Sequence, residues 1–417
     1  MKYGYRDLKC GLIGKKLGHS FSPIIHNKLA DYPFELLELA PEDLEIFAKS
    51  NKFDAYCVTI PYKKDIMPFL DVISDEALAI GAVNVVVRKP DGKLYGYNTD
   101  YFGFDYMVKR SGVSVSGKKA MVFGRGGASA TICTLLRDRG VSELVTIDIE
   151  DNTPENLARH ADAQIIVNTT PVGMYPNTGK APTSLSYFPE CQALFDVVYN
   201  PARTALMIEA EKLGIATVGG LSMLVAQAAK AFEHFTGDDY EDGIIESILS
   251  DITCETSNLI LVGMPGCGKS SVGRLIAESL KREFLDADIE FEKMHGIPPA
   301  EAIKTLGEDK FRLMETETLD ALTKLSSKII ATGGGAVTRE CNYPLMHQNG
   351  VIVFLERDLD KLPTDNRPIS QNRSLTDLYS ERIDSYLRFT DITVKSTEIQ
   401  EKTADMIIDK FKKYFKG

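Results

Sequence analysis

The sequence predicts an α/β protein with more than one domain, and three observations support this prediction. The chain has 417 residues, which is more than one hydrophobic core usually serves. Short apolar runs alternate with stretches of helical periodicity. Two glycine-rich loops, at residues 124–130 and 263–271, each stand between an apolar run and a helical stretch. Such loops bind phosphate groups at the start of a helix, so we expect two nucleotide sites.

The composition is that of an ordinary globular protein with an acidic charge balance. The hydrophobic content is 44% and the formal net charge is -11. We expect neither nucleic acid nor a membrane as a partner, because no basic block offsets this charge and no apolar run approaches the ~18 residues of a membrane span. Seven cysteines without C-x-x-C spacing favour reduced thiols and a cytoplasmic location. The sequence does not predict an oligomeric state.

Several polar residues among the first hundred stand where apolar runs end. Alone, each is typical of a helix cap or a solvated surface. The carboxyl ends of strands are, however, the edge at which α/β sheets build ligand sites. In chain order these residues are Ser20 and Ser22 after the run 10–13, Thr59 and Lys63 around the end of the run 55–60, Asn84 in the run 81–87, and Asp100 after the run 94–98. The run 94–98 is predicted to form a hairpin with the run 81–87. Lys63 is predicted at the start of a helix.

The next stretch has the pattern of a dinucleotide-binding βαβ unit. The strand 120–123 runs into the glycine loop, a helix is predicted over 131–138, and a second strand over 144–149. Ser129 stands where the third glycine of the usual fingerprint would be. Two more strands, 163–167 and 193–197, continue the alternation before a helix predicted at 221–235.

Residues 1 to about 237 resemble the shikimate dehydrogenases. Seven motifs carry the resemblance, and their order is Ser20 with Ser22, Thr59 with Lys63, Asn84, Asn98-Thr99-Asp100, the glycine loop, Asn168 to Met174, and Gly220 with Met223 to Gln227. The resemblance implies a substrate domain at 1–100, completed by 221–237, and a Rossmann domain at 101–220. It also implies reduction of 3-dehydroshikimate to shikimate, for which a proton donor must lie beside the ketone.

The resemblance assigns roles to individual residues. Lys63 and Asp100 are the implied acid/base pair. The substrate carboxylate is bound by Ser20, Ser22 and Tyr199, and the ring hydroxyls by Thr59, Asn84 and Gln227. The implied cofactor-binding residues are Gly124, Arg125, Gly126, Gly127, Ala128, Asp148, Asn168, Thr169 and Gly220.

The second strand of the βαβ unit departs from the family pattern. NADP-using members place an arginine there that neutralises the 2′-phosphate, whereas this chain has Asp148, Glu150 and Asp151. A carboxylate at that point hydrogen-bonds a ribose 2′-hydroxyl, as expected for NAD. Arg125 could instead supply the missing charge. NADP is the family default, and NAD stays open as the alternative.

The second glycine loop, Gly263 to Ser271, matches the phosphate-binding pattern G-x-x-x-x-G-K-[ST] at every required position. It follows the apolar run 259–262 and precedes a helical stretch at 272–280. An ordinary glycine turn would not require the lysine and the serine. Lys269 is predicted to reach the β- and γ-phosphates of ATP, and Ser270 to hold Mg²⁺. The predicted ATP-binding residues are Gly263, Gly266, Cys267, Gly268, Lys269, Ser270 and Ser271.

An acidic, turn-rich linker is predicted at 238–257, with one short helix at 244–249. After the phosphate loop, a short strand from Phe284 is predicted to end in Asp286 and Asp288. A helix over 307–325 carries Arg312 and Glu315, whose spacing also suits a surface ion pair. A buried strand then enters Gly333-Gly334-Gly335, where backbone must approach a ligand or another chain closely.

Residues 258–417 resemble the shikimate kinases, which implies a P-loop α/β domain with a parallel sheet. By this resemblance Asp288 orients and deprotonates the 3-hydroxyl of shikimate, and Asp286 supports Mg²⁺ with Ser270. Arg367 is the implied lid arginine that stabilises charge on the transferring phosphoryl group. The lid departs from the family pattern, because the segment 357–366 upstream of Arg367 is acidic and contains Pro363, and a second lid arginine is not evident. The carboxylate of shikimate is bound by Arg312, Arg382 and the glycines Gly333, Gly334 and Gly335.

The two resemblances together predict a bifunctional cytoplasmic enzyme whose partners are the small molecules 3-dehydroshikimate and shikimate. One alternative is a quinate/shikimate dehydrogenase, although Ser22, rather than a bulkier threonine, favours shikimate. The other is a kinase-like module that binds nucleotide for regulation without turnover. The catalytic set Lys269, Asp288, Arg312 and Arg382 speaks against that module.

Overall fold

The computed structural model describes residues 4–18, 20–362 and 374–416. The chain divides into two compact units. The first comprises Met1–Val172, Ala181–Tyr199 and Glu209–Leu249, and the second comprises Gly173–Lys180, Asn200–Ile208 and Ser250–Gly417. The domain bounds given above stay predictions. Among the described residues, no helix has both the length and the apolar character needed to span a membrane.

The first sheet of the N-terminal unit is mixed. It consists of β1 (Cys10–Gly14), β2 (Phe34–Glu38), β3 (Ala55–Val58), β4 (Val72–Ile73), β5 (Val85–Arg88) and β6 (Leu94–Tyr97). Their order is β2-β1-β3-β5-β6-β4. β1 runs parallel to β3, so the loops that follow these two strands leave from the same edge. β5 pairs antiparallel with both β3 and β6, as expected for the predicted hairpin.

The second sheet is fully parallel and consists of β7 (Lys119–Phe123), β8 (Glu143–Ile147), β9 (Ile165–Asn168), β10 (Ala193–Asp196) and β11 (Ala216–Gly219). The strand order β11-β10-β9-β7-β8 reverses direction between β7 and β9. Ligands of open α/β sheets bind at such a reversal, outside the carboxyl ends of the strands. The first glycine loop follows β7 and therefore lies at this point.

The helices up to residue 256 are α1 (Ser22–Leu29), α2 (Leu44–Lys49), α3 (Asp75–Ile80), α4 (Asp100–Ser111), α5 (Gly127–Asp138), α6 (Pro154–Ala158), α7 (Ala205–Lys212), α8 (Gly220–Thr236) and α9 (Ile244–Thr256). α5 packs its apolar face on the second sheet through Ile132, Leu135 and Leu136, which are fully buried. α8 ends at Gly237, whose left-handed backbone is the usual stop for a helix.

The sheet of the second unit is also fully parallel. Its strands are β12 (Asn258–Val262), β13 (Phe284–Asp286), β14 (Ile329–Ala331), β15 (Gly350–Glu356) and β16 (Ile392–Lys395), in the order β13-β14-β12-β15-β16. β12 is central and completely buried, which explains its continuous apolar run. The helices are α10 (Lys269–Leu280), α11 (Ala287–His295), α12 (Pro299–Leu306), α13 (Glu308–Thr323), α14 (Asn342–His347), α15 (Leu375–Phe389) and α16 (Gln400–Tyr414).

Three local predictions were wrong. Lys63 lies in a turn rather than at the start of a helix. Its carbonyl accepts the N–H of Val83 at 2.8 Å and so does not form the hydrogen bond of a helical turn. Asp288 does not end a strand: β13 stops at Asp286, which caps α11 by accepting the Asp288 N–H at 3.1 Å. The short helix expected at 244–249 continues to residue 256.

Candidate active sites

The best defined contact of the first site joins Lys63 to Asp100. Lys63 Nζ lies 2.5 Å from Asp100 Oδ2, and the two side chains are 18% and 4% exposed. Lys63 follows β3, and Asp100 is the first residue of α4. The predicted pair, 37 residues apart in sequence, is therefore brought together at the edge of the first sheet.

Buried amides hold this pair in place. Asn84 Nδ2 donates to Asp100 Oδ1 at 3.0 Å, and Asn84 Oδ1 accepts the N–H of Thr99 at 2.7 Å. Asn98 adds a second brace, because its side chain donates to the carbonyl of Ala82 and accepts the N–H of Asp100. Both oxygens of the Asp100 carboxylate are thus engaged, which fixes where the Lys63 ammonium points.

A close helix crossing carries Gln227 towards the same place. α4 and α8 approach so closely that a Cβ added at Gly103 would lie 2.7 Å from the carbonyl oxygen of Met223 and 3.2 Å from Gln227 Cβ. Gly103 is one turn beyond Asp100. The Oε1 atom of Gln227 is buried and has no hydrogen-bond partner among the described residues. A buried acceptor without a donor is costly, so it suits a ligand hydroxyl.

The predicted carboxylate-binding residues lie on two neighbouring loops. Ser20 Oγ accepts the N–H of Ser22, the first residue of α1, at 3.2 Å. The ring of Phe21, between the two serines, packs against Tyr199 with a centroid distance of 5.3 Å. Burial raises the pKa of Tyr199, so its hydroxyl stays a hydrogen-bond donor. Thr59 directly follows β3 and accepts the N–H of Tyr62 through its carbonyl.

The first glycine loop has the geometry that a pyrophosphate requires. Gly124 has a φ of +105°, and a Cβ there would lie 2.6 Å from Thr169 Oγ1. Gly126 caps α5, and a Cβ added at Gly126 or Gly127 would meet no atom within 4 Å, so the start of the helix is open. Ala128 lies in the first turn of α5. Backbone N–H groups at this helix start can bind an anion.

Asn168 and Thr169 support the glycine loop from the next strand. Thr169 Oγ1 donates to the carbonyl of Phe123 at 2.6 Å. Asn168 is fully buried, and its amide donates to Asp196 Oδ1 at 3.0 Å and accepts from Thr170. Gly220 begins α8 directly against the carbonyl of Val197, where any side chain would clash. The buried position of Asn168 suits a brace beneath the loop.

The acids predicted to face the ribose lie beside the glycine loop. Asp148 directly follows β8, and its Oδ1 accepts the N–H of Ile149 at 2.8 Å. Arg125 is paired with Asp151 at 2.5 Å, and the two side chains are 54% and 42% exposed. The cation considered as a partner for a 2′-phosphate is thus engaged by a carboxylate.

The second glycine loop joins β12 to α10 as predicted. Gly263 and Gly268 have φ of +149° and +102°. Cys267 is 1% exposed and lies beneath the loop, with its Sγ 3.9 Å from Lys269 Nζ. Lys269 Nζ donates to the carbonyls of Gly263 and Met264 at 2.8 and 3.0 Å.

A cavity of about 630 Å³ opens beside this loop. Ser270 Oγ donates to Asp286 Oδ2 at 2.7 Å, so two oxygen ligands suitable for Mg²⁺ converge. Asp288 is accessible within the cavity, but the surrounding protein raises the pKa of its carboxyl, and the charge of Asp286 adds to this effect. Other predicted residues that line the cavity are Gly266, Gly268, Lys269, Ser271, Arg312, Gly333, Gly334, Gly335 and Arg382.

Each glycine of the Gly333-Gly334-Gly335 run makes room for a different group. A Cβ at Gly333 would lie 2.7 Å from Glu315 Oε1, and one at Gly335 would overlap the guanidinium of Arg312. A Cβ at Gly334 would lie 2.7 Å from the ring of Pro265 in the phosphate loop. The three glycines therefore allow both the phosphate loop and Arg312 to pack directly against the backbone of residues 333–335.

Arg312 forms a buried ion pair. Its Nη1 donates to Glu315 Oε2 at 2.7 Å, and the two side chains are 10% and 7% exposed. A second bond joins its Nη2 to Glu308 at 3.1 Å. Burial raises the pKa of Glu315, although Arg312 opposes the shift. The surface ion pair considered from the sequence is therefore wrong, because the pair is buried at the cavity wall.

Arg382 and Tyr386, on α15, meet at one backbone oxygen. Arg382 Nη1 and the Tyr386 hydroxyl both donate to the carbonyl of Gly334, at 3.2 and 2.5 Å. Arg382 is 4% exposed, and its Nε has no hydrogen-bond partner among the described residues. Such a buried donor suits an anionic ligand. Arg367, the predicted lid arginine, lies outside the described residues.

Sequence reasoning missed two residues that hold these sites together. Asp196 is fully buried, accepts from Asn168 and also accepts the N–H of Val198 at 3.0 Å. The sequence feature that could have identified Asp196 is a single acidic residue within an otherwise apolar strand. Glu315 was noted only as a neighbour of Arg312, although it also lies close to Gly333. Its i, i+3 spacing gave no sign of burial.

The two units thus have the folds of a dinucleotide-dependent oxidoreductase and a P-loop phosphotransferase. The family model for the shikimate dehydrogenase substrate binding domain matches residues 12–86, and the model for shikimate kinase matches residues 265–412.

Relatives of the N-terminal part agree with this result. The shikimate dehydrogenase (NADP(+)) of Clostridium perfringens is 38% identical over 266 residues, which are 58% of this chain and 98% of that protein. The crystal structure of shikimate dehydrogenase 1 from Peptoclostridium difficile is 36% identical, with a TM-score of 0.53, over 58% of this chain and 97% of that one. The crystal structure of a chorismate mutase/shikimate 5-dehydrogenase fusion protein from Clostridium acetobutylicum is 30% identical, with a TM-score of 0.55, over 58% of this chain and 96% of that one.

The chain belongs to the shikimate dehydrogenase family and carries a shikimate kinase domain after the dehydrogenase part. It is a bifunctional enzyme of the shikimate pathway, with oxidoreductase and kinase activities. Its cofactors are a nicotinamide dinucleotide, ATP and Mg²⁺, and the name of the Clostridium perfringens relative gives NADP as the nicotinamide form.

Proposed function

We propose that the chain catalyses two consecutive reactions, reduction of 3-dehydroshikimate to shikimate and phosphorylation of the shikimate 3-hydroxyl. The observation that carries the proposal is the cavity beside the second glycine loop. There the phosphate-binding lysine lines the same space as a carboxylate and two buried arginines, Asp288, Arg312 and Arg382. A phosphoryl donor and a carboxylated polyol acceptor can therefore meet in one enclosure. The product of the first reaction is the acceptor of the second.

In the dehydrogenase site, Lys63 delivers the proton. A bound nicotinamide would supply the hydride for the ketone carbon. The ammonium of Lys63 protonates the ketone oxygen as negative charge develops on it. Asp100 holds the ammonium group in place through a contact of 2.5 Å. Asn84 holds the other oxygen of Asp100 and keeps the pair oriented.

The remaining groups of this site orient the substrate. Gln227 offers a buried carbonyl oxygen to a ring hydroxyl, which would satisfy that oxygen. Thr59 stands at the same sheet edge and can bind another hydroxyl. Ser20, Ser22 and Tyr199 lie on adjoining loops and supply neutral hydroxyl donors for the carboxylate. We assign Asn168 to bracing the cofactor loop, because it is fully buried.

In the kinase site, Asp288 accepts the hydrogen bond of the 3-hydroxyl and orients it for attack on the γ-phosphate. Arg312 and Arg382 bind the carboxylate at the opposite side, and Gly335 gives Arg312 the room to do so. Lys269 and the loop N–H groups bind the phosphates. Ser270 and Asp286 would hold Mg²⁺, which neutralises the phosphates, and Arg367 is proposed as the lid arginine.

The test follows both steps with 3-dehydroshikimate as the only carbon substrate. We expect oxidation of the reduced nicotinamide to come first and ADP to form only after shikimate accumulates. ADP formation without prior reduction, or reduction without ADP, would contradict one half of the proposal. The rate of quinate oxidation, compared with that of shikimate oxidation, tests the alternative of a quinate/shikimate dehydrogenase. A cytoplasmic location is proposed from the seven free thiols.

A further inference from the structure

The carboxyl end of β8 forms one wall of the dinucleotide site. β7 and β8 pair in parallel with Phe123 opposite Ile147, and the N–H of Gly124 donates to the carbonyl of Ile147 at 2.7 Å. Asp148, the next residue, therefore lies directly beside the glycine loop. When a pyrophosphate lies on the start of α5, the adenosine ribose reaches the end of this second strand.

Asp148 has one oxygen available to a ligand. Its Oδ1 accepts the N–H of Ile149 at 2.8 Å, whereas Oδ2 has no hydrogen-bond partner among the described residues. The bond to Ile149 anchors the carboxylate at the strand end. A ribose hydroxyl is a donor, and its hydrogen bond to a carboxylate is charge-assisted.

Cations are missing from the same stretch of chain. Residues 146–156 contain no lysine, arginine or histidine but hold Asp148, Glu150, Asp151 and Glu155. Ile149, which is 90% exposed, presents an apolar side chain next to Asp148. Arg125 is the nearby cation of the glycine loop, and it is held by Asp151 at 2.5 Å. A phosphate placed here would meet carboxylates without a free counter-charge, and like charges at an interface cost affinity.

We infer that this dinucleotide site selects NAD over NADP, and that Asp148 is the residue that sets the preference. The inference rests on the dehydrogenase function proposed above, and it runs against the NADP of the family's relatives. The pyrophosphate fits the open start of α5, but the 2′-phosphate does not fit the acidic end of β8. Asp148 binds the free 2′-hydroxyl of NAD and repels the 2′-phosphate of NADP.

The first experiment measures binding of NAD⁺ and NADP⁺ to the full chain by isothermal titration calorimetry, without carbon substrate. We expect NAD⁺ to bind at least roughly tenfold more tightly, the worth of one charge-assisted hydrogen bond. The catalytic efficiency of dehydroshikimate reduction should favour NADH over NADPH in the same direction. Equal or tighter binding of NADP⁺ overturns the inference. If neither dinucleotide supports reduction, the proposed function fails instead.

Variants separate Asp148 from the general acidity of the stretch. Asp148→Asn should weaken NAD⁺ binding, strengthen NADP⁺ binding and reduce the preference roughly tenfold. Glu155→Gln removes one carboxylate from the first turn of α6 and should leave the preference unchanged. Equal shifts in the two variants would show that net charge, rather than Asp148, discriminates the cofactors.

A third variant tests the pairing of Arg125. Asp151→Asn releases the arginine from its ion pair and should strengthen NADP⁺ binding while leaving NAD⁺ binding nearly unchanged. If NADP⁺ binding does not respond, Arg125 does not reach the ribose and Asp148 acts alone. If NADP⁺ already binds tightly before the change, Arg125 leaves Asp151 by itself, which again overturns the inference.

Discussion

The dehydrogenase site is organised by one ion pair, Lys63 with Asp100, whereas the kinase cavity is lined by six charged groups. Lys63 and Asp100 are oriented by neutral amides, so one proton can be placed at one atom. In the kinase cavity three cations face three carboxylates among the described residues: Lys269, Arg312, Arg382, Asp286, Asp288 and Glu315.

The difference follows from the chemistry of the two reactions. Hydride transfer creates charge on one oxygen, and a single well-placed donor meets that need. Phosphoryl transfer spreads charge over several oxygens, and its catalysis is mainly electrostatic stabilisation and positioning. Two sites in one chain therefore differ in how many charged groups they require, and each should respond to its own substitutions.

The largest expected effect comes from Lys63→Ala. Dehydroshikimate reduction should fall roughly 100- to 10,000-fold, because Lys63 is the group that we propose protonates the ketone oxygen. Shikimate phosphorylation by the same preparation should be unchanged. Lys64→Ala, at the exposed neighbouring position, is the matched control and should keep both rates. Loss of phosphorylation in a folded Lys63→Ala protein would contradict separate sites.

The reciprocal change, Asp288→Asn, should lower phosphorylation roughly 100-fold or more and leave the dehydrogenase rate unchanged. The amide retains the shape but is a poorer acceptor for the 3-hydroxyl. Glu292→Gln, an exposed position on the same helix α11, should change neither activity. If the parent itself forms no ADP with shikimate, the kinase-like part is a nucleotide-binding module, as the alternative from the sequence supposed.

A smaller effect is expected from Gly335→Ala. The added Cβ would overlap the Arg312 guanidinium, so the arginine must move. We expect the KM for shikimate to rise about tenfold, the worth of one charge-assisted hydrogen bond, with little change in the KM for ATP. Measuring the two KM values separately is essential: an equal rise in both would show that the phosphate loop, rather than the arginine, has been disturbed.

The two activities should also differ in their response to acid. Burial raises the pKa of Asp288 above its ordinary value, so Asp288 becomes protonated at a higher pH than a solvated aspartate. Since the ionised form accepts the 3-hydroxyl, the kcat/KM for shikimate should decline at correspondingly higher pH on the acid side. Profiles with and without Asp288 provide the check. The interpretation is wrong if the residual activity of Asp288→Asn shows the same acid limb.

The smallest effect concerns stability. A carboxyl whose pKa is raised by folding contributes stability below its unfolded pKa, and this contribution is lost as the pH rises through the folded pKa. Asp288 therefore destabilises the fold slightly at neutral pH, because its side chain is exposed to the cavity and solvent screens the cost, and Asp288→Asn should raise the Tm there by a small amount. The gain should vanish near pH 4. Thermal unfolding of the parent and of Asp288→Asn at the two pH values tests this prediction. An increase in Tm that does not depend on pH would contradict it.

The sequence predicted those features that depend on short-range pattern. β12 was predicted because its residues 259–262 are all apolar, as is typical of a buried parallel strand. The phosphate loop was predicted because its spacing is dictated by the ligand. Lys63 and Asp100 were paired through family resemblance. Their distance and their bracing by Asn84 depend on the register of β3, β5 and β6, which no local pattern encodes.

Other features could not be predicted because their causes lie far away in sequence. The helix α4 was missed, since Gly103 and the aromatic residues around it weaken its periodicity, and tertiary packing on α8 stabilises it. Lys63 was expected at a helix entrance, but Val83, twenty residues on, takes its carbonyl. The burial of the Arg312 and Glu315 pair likewise depends on the glycine run at 333–335.

The crossing of α4 and α8 at Gly103 has a mechanical consequence. Because a side chain at Gly103 would clash with the backbone of α8, the two helices are in close contact there. We therefore expect them to move together, with Asp100 at the start of α4 and Gln227 on α8. Any opening or closing of the dehydrogenase around its substrate must pivot elsewhere along the chain. The distance between the Lys63–Asp100 pair and Gln227 should then stay constant during such a motion, so the substrate meets these groups in a fixed arrangement.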